Sequence, residues 1–244
     1  YYTWYFPIVG SVPYKGYFVR QGAIDQAESL QKDGYDTYIL GVTAFSTLGW
    51  FKDPVLSSMM AYEEYELVNT IIHETVHATL YISSNAGFNE RLATYLGDLG
   101  THIFYEQKQK NHPLLDEIKK DSEDSKLFGE YISARVKKLE QWYKDHKDDP
   151  KILELREKEF QSIKDDYRKE VIPKLKTDKY KRFADGELNN ARLMGYKLYV
   201  NDLSDFTKLS EKFKQNFEEI LKYCKSLEDS KDPEKSLKEF VSNP

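Results

Sequence analysis

Apolar residues return at steps of three and four along the second half of the chain. Phe128, Tyr131, Ile132, Val136, Leu139 and Trp142 mark one face of a helix, and Leu153, Phe160, Ile163, Tyr167 and Val171 mark another. Asp148-Asp149-Pro150 lies between them, where proline removes a helix donor and clashes with the preceding turn. The pattern predicts an antiparallel helical hairpin over residues 124–176 with charged outer faces. Helices are predicted over Phe183 to Val200 and Phe206 to Leu227, with a short helical tail after Pro233. The first half reads differently. Ile24 to Asp33 is a helix stopped by Gly34, and Tyr35 to Phe45 reads as a strand continued irregularly by Ser46 to Phe51. Tyr5 to Gly10 and Tyr14 to Val19 read as loop or short strand. The predicted fold class is α+β, a small and mostly antiparallel sheet with a largely helical C-terminal half, in two lobes of residues 1–105 and 106–244.

One predicted helix carries candidate chemistry. Between Tyr62 and Ile82, His73-Glu74-Thr75-Val76-His77 fits H-E-x-x-H, and the helical period sets the two imidazoles one turn apart on one face. Glu66, Asn69 and Thr70 share that face, while Leu67, Val68, Ile71, Ile72, Val76 and Leu80 fill most of the rest. The helix is therefore expected to be buried, and its polar stripe needs partners. Ser84, Asn85 and Gly87 permit a reversal, after which Phe88-Asn89-Glu90-Arg91 opens a second helix. Ala93, Thr94, Gly97 and Thr101 lie on the face of Glu90, small enough for a close crossing. His73, His77 and Glu90 would then hold one Zn²⁺ with a position open for water, and Glu74 would act as general base on metal-bound water. The segment Thr43 to Trp50, with Ser46, Thr47, Leu48 and Gly49, reads either as an edge strand against which a peptide substrate pairs or as an internal strand.

Composition narrows the partners. In 244 residues Lys+Arg number 36 against 41 Asp+Glu, a net charge of −5, which argues against nucleic acid. No apolar run is long enough to span a bilayer. The single cysteine, Cys224, excludes an intrachain disulfide framework and reads as a packing residue. The chain opens on Tyr1-Tyr2-Thr3-Trp4 without Met, the expectation being a processed or trimmed protein, with a signal or lipid anchor on a missing N-terminus left open.

HETVH, FNERLAT and TAFSTLGWFKDP, together with YFPIVGSVPYKGY from Tyr5 to Tyr17, resemble a bacterial family of predicted aminopeptidases, zincin-like proteins of the gluzincin type. The resemblance covers most of residues 4–105 and returns at Leu188 to Leu193 with Tyr196 and Tyr199 following. It implies a zinc metallopeptidase acting on peptides, at the cell envelope or periplasmic side, with the cytoplasm left open. It also implies that helix 183–200 closes over a cleft, with Tyr196 or Tyr199 as the oxyanion donor and Asn190 in contact with substrate. Thr94 stands where thermolysin-like enzymes place the Asp that supports a His ligand, so Glu66, Asp98 or a backbone carbonyl remains for that part. Two alternatives stay open. One is a non-catalytic envelope or scaffold protein with a structural or vestigial metal site, and the other is a metallohydrolase of another amide, such as cell-wall peptide.

Overall fold

A computed structural model describes residues 1–199 and 202–242, with the side chain of Tyr199 outside that description. Strands β1 (Trp4–Phe6) and β2 (Gly10–Val12) pair antiparallel, Trp4 opposite Val12 and Phe6 opposite Gly10. Then follow α1 (Arg20–Lys32), α2 (Glu64–Thr79), α3 (Ala86–Lys108), α4 (Leu114–Asp145) and α5 (Ile152–Glu170). After them come α6 (Asn190–Tyr199), α7 (Ser204–Lys212), α8 (Phe217–Lys225) and α9 (Pro233–Ser242). The architecture is α+β and mostly helical, and among the described residues β1–β2 is the whole sheet. No described helix is long and apolar enough to cross a membrane.

Three sequence expectations are corrected. Residues 35–45 form no strand, and the segment 46–51 does not extend one. Strand propensity needs a neighbouring strand to receive the backbone. Here the Thr37 carbonyl accepts from Asn189 and the Thr43 carbonyl accepts from Ser58 Oγ instead. The helix expected over 183–200 is shorter: Lys181–Asp185 is a 3₁₀ turn, Gly186 is extended, and α6 begins at Asn190. Val200 lies outside the described residues. The helix expected over 206–227 is two, because Lys214 and Gln215 take left-handed φ of 51° and 60°. Asn216 then caps α8 by accepting from the Glu219 N–H at 3.1 Å.

The chain packs as two units, to both of which the expected lobes 1–105 and 106–244 contribute. The first comprises Tyr1–Gly16, Leu40–Ile118 and Leu203–Pro244. Its core sets Val76 and Leu80 from α2 and its end, and Phe88, Leu92, Ala93 and Leu96 from α3, against Phe206, Leu209, Ile220, Cys224, Leu237 and Val241 of α7–α9. Arg91, buried, fixes the attachment: it pairs with Glu234 and with Asp205 (3.6 Å) and lies over the Phe206 ring. The α2–α3 crossing is close because Gly97 and Gly100 face Asn69 and Ile72, where an added Cβ would fall 3.4 and 3.1 Å away.

The second unit comprises Tyr17–Ile39 and Lys119–Asp202. The α4–α5 hairpin forms where expected, Asp149 Oδ1 accepting from the Lys151 N–H at its turn. Phe128, Tyr131, Ile132, Val136 and Leu139 pack on Phe160, Ile163 and Tyr167, with Phe183, Leu188 and Leu193 completing the core. Asp36, just beyond α1, binds Arg156 (3.3 Å) and the side-chain amide of Asn190 (2.9 Å).

Candidate metal centre

The site grows from the turn joining α2 to α3. Leu80 leaves the helix extended, Ser84 takes a left-handed φ of 62°, and the backbone reverses into α3. Ile82, at the start of the reversal, is buried, and its backbone groups must be satisfied within the protein. Asn89 does this with its side chain, accepting from the Ile82 N–H at 2.9 Å and donating to the Ile82 carbonyl at 2.8 Å. The next residue, Glu90, is thereby aimed at α2.

There the imidazoles of His73 and His77 present Nε2 to each other at 3.1 Å, and Glu90 Oε2 lies 3.5 and 3.6 Å from them. Glu90 Oε2 is buried with no hydrogen-bond partner in the structure. A proton serves one edge of such a triangle, whereas a cation serves all three corners. A tetrahedral ion about 2.0–2.1 Å from three donor atoms holds them roughly 3.3–3.4 Å apart. The observed separations bracket that value, so the three side chains fit a metal ion, and among the described residues they form the one cluster with that capacity. Burial pushes the Glu90 carboxyl up, but the adjacent imidazoles outweigh it and hold the group down at about 2. It is a carboxylate ready to ligate.

Glu74 follows His73 on α2. Burial raises its carboxyl above the ordinary value, His73 and His77 oppose that, and Glu90 and Asp53 add to it. Such a carboxylate binds a proton more readily than an exposed one. The rest of the polar stripe is used locally: Glu66 accepts from the Glu63 N–H, Asn69 donates to Asp98, and Thr70 donates to the Glu66 carbonyl. His77 Nδ1 is buried with no hydrogen-bond partner in the structure. The helix is less covered than its sequence implies, Val76 and His77 being buried and Ile71 exposed.

Ser46 to Gly49 form a tight loop on α2. Ser46 Oγ donates to the Glu74 carbonyl at 3.4 Å, and a Cβ on Gly49 (φ +79°) would meet the Ala78 carbonyl at 3.0 Å. The Thr47 N–H donates to Asp53 and the Leu48 N–H to Ser46 Oγ, so neither amide is left for an added strand. His102 is exposed beside Glu106. In the second unit, Asn190 donates to Asp36 and Tyr143, and the Tyr196 ring packs on Phe128 and Phe183 with its hydroxyl 3.4 Å from Arg192. The ring is partly buried and packs against the core of this unit.

Tyr14, Tyr81 and Asn89 also stand at the site. Tyr14 donates to Glu90 Oε1 at 3.5 Å, and the Tyr81 ring lies beside His77 with its phenol near Tyr14 and Asn89. Asn89 was visible as the neighbour of Glu90. The tyrosines carry no spacing signal, because the hairpin and the turn bring them to the site.

The chain belongs to the family described as "Putative aminopeptidase", whose model matches residues 1–238. Neither the curated proteins nor the solved structures provide a match.

Proposed function

We propose that this protein is a zinc-dependent peptidase of aminopeptidase-like activity, with His73, His77 and Glu90 as the zinc ligands and Glu74 as general base. The observation that carries the reading is the triangle of Nε2, Nε2 and Oε2 at 3.1–3.6 Å, two of its three residues 7% exposed or less. Zinc held there would polarise the scissile carbonyl and acidify a water. The chain's own part in the reaction is proton transfer. Glu74 takes a proton from the attacking water as the new C–O bond forms, and returns it to the amine nitrogen as the C–N bond breaks. Its raised proton affinity suits both steps. The intact Glu74 favours an enzyme over a structural metal site, which has no use for a base. The family description supports a peptide as substrate.

In this proposal Tyr196 or Tyr199 is the donor to the oxyanion, and the Ser46 to Gly49 loop and Asn190 are substrate contacts. An oxyanion exists only at the transition state, so Tyr→Phe at the true donor lowers kcat more than it raises KM.

The deciding experiment digests a peptide library with the purified chain and reads products by mass spectrometry, beside Glu74→Gln. Removal of single N-terminal residues by the wild type alone is the expected result. Cleavage at internal bonds would keep the peptidase and remove the aminopeptidase. A zinc-loaded wild type that cleaves no peptide would return the site to a structural role or to another amide.

A further inference from the structure

An isolated two-stranded hairpin is marginal in water. The β1–β2 hairpin is fixed to the turn between the two ligand-bearing helices. The Ser84 N–H donates to the Val9 carbonyl at 3.0 Å, and Ser84 Oγ accepts from the Ser11 N–H at 3.1 Å. Gly10 sits at φ +75°, and a Cβ there would lie 2.2 Å from Ser84 Oγ and 2.8 Å from the Ser84 nitrogen. Only glycine allows that approach. Two residues past β2, the chain delivers Tyr14 to Glu90. Its hydroxyl meets Oε1 at 3.5 Å, the oxygen turned away from the imidazoles, since Oε2 is the one facing His73 and His77. Tyr81 belongs to the same α2–α3 turn, its ring 6.3 Å from that of His77 and its phenol within reach of Tyr14 and the Asn89 side chain.

We propose that Tyr14 and Tyr81 are positioning residues for the ligand Glu90, delivered by the docking of Gly10 on Ser84. This rests on the metal reading of the site. A carboxylate can offer a metal one oxygen or two. A donor on Oε1 favours ligation through Oε2 alone, which keeps the remaining position of the metal free. The O···O distance is at the long end of the hydrogen-bond range, and ligation that draws Oε2 toward the two imidazoles leaves Oε1 for Tyr14 to follow.

The test uses the full chain as wild type, Tyr14→Phe, Tyr81→Phe, Gly10→Ala and Gly10→Ala/Tyr14→Phe. Zinc affinity is measured by competition with a chromogenic chelator, visible absorption after Co²⁺ loading, and melting with metal removed. Loss of an outer partner of a ligand typically weakens metal binding about 10–100-fold. Tyr14→Phe should fall in that range and shift the cobalt bands while the metal-free melt stays at the wild-type value. Tyr81→Phe should move both readouts in the same direction by less. Gly10→Ala should match Tyr14→Phe, and the double variant should add little, because both remove the same contact. Wild-type affinity and an unchanged cobalt spectrum in both tyrosine variants would overturn the proposal while leaving the metal site standing. So would a loss of affinity matched by an equal loss of metal-free stability, which marks a packing role. A wild type that takes up neither zinc nor cobalt would remove the metal reading, and the positioning role with it.

Discussion

A carboxylate buried beside two imidazoles is satisfied either by protons shared along the edges of the triangle or by one cation within it. The two cases predict different variants. If a cation is held, elemental analysis of the wild type finds about one zinc per chain, and His73→Ala or His77→Ala loses it, because one ligand cannot be spared from a site of three. Stoichiometric zinc in the double variant would place the metal elsewhere. Glu74→Gln should keep the zinc and lose hydrolysis by about 10²–10⁴-fold, since an amide preserves shape but cannot accept the proton. The same variant has a signature in stability. The folded pKa of Glu74 is raised, so the native state holds a proton that the unfolded chain releases from about pH 4.5 upward, and stability falls as pH rises through that window. Glutamine removes this penalty. Metal-free Glu74→Gln should therefore unfold in urea at a denaturant concentration equal to or above wild type at pH 7, the advantage vanishing below pH 4. Glu90 has the opposite sign. Its carboxyl is held at about 2, so its contribution is present above the unfolded value of 4.5 and is lost as pH falls toward 2.

At the scale of elements, the site depends on α2 and α3 crossing closely and on the turn that joins them. Both dependences are testable away from the ligands. Asn89 supplies a donor and an acceptor to the buried Ile82 backbone, and Asn89→Ala leaves both unpaired at about 1–3 kcal/mol each. Urea unfolding of Asn89→Ala should show a loss of at least 2 kcal/mol in the transition of the first unit, on the order expected from two orphaned groups. Gly97 tests the crossing itself. Valine there pushes on Asn69, whose amide also holds Asp98, and should destabilise the α2–α3 pair by about 1–3 kcal/mol and weaken zinc binding with it. A Gly97→Val chain with wild-type affinity would mean that the helices have room to part without opening the triangle.

For the whole molecule, two separate cores imply that metal reports on one of them. Zinc held by α2 and α3, as proposed, would stabilise the first unit by mass action. Removing zinc with a chelator should raise amide exchange in α2, α3 and the Leu80 to Asn85 turn while α4 and α5 keep their protection, read by hydrogen–deuterium exchange with mass spectrometry. Equal loss in both units would mean that they unfold together. The α2 and α3 helices, the α4–α5 hairpin and the clustering of His73, His77 and Glu90 were legible in the sequence. Each is written in local periodicity, in a breaker such as Pro150, or in side chains whose chemistry is specific at helical spacing. Three features were not legible. The reading of 35–45 as a strand failed because a strand is completed by a partner far along the chain, and none comes from the described residues. The breaks at Gly186 and at Lys214-Gln215 are backbone choices that apolar periodicity does not register. The partners of Glu90 and of the turn, Tyr14, Tyr81 and Asn89, could not be singled out among 19 tyrosines and many polar side chains. Spacing along one helix is a local property, fixed by the 3.6-residue period before anything packs. The contact of Tyr14 with Glu90 spans 76 residues and exists only because Gly10 lets a hairpin lie against Ser84, which is a property of the packed chain.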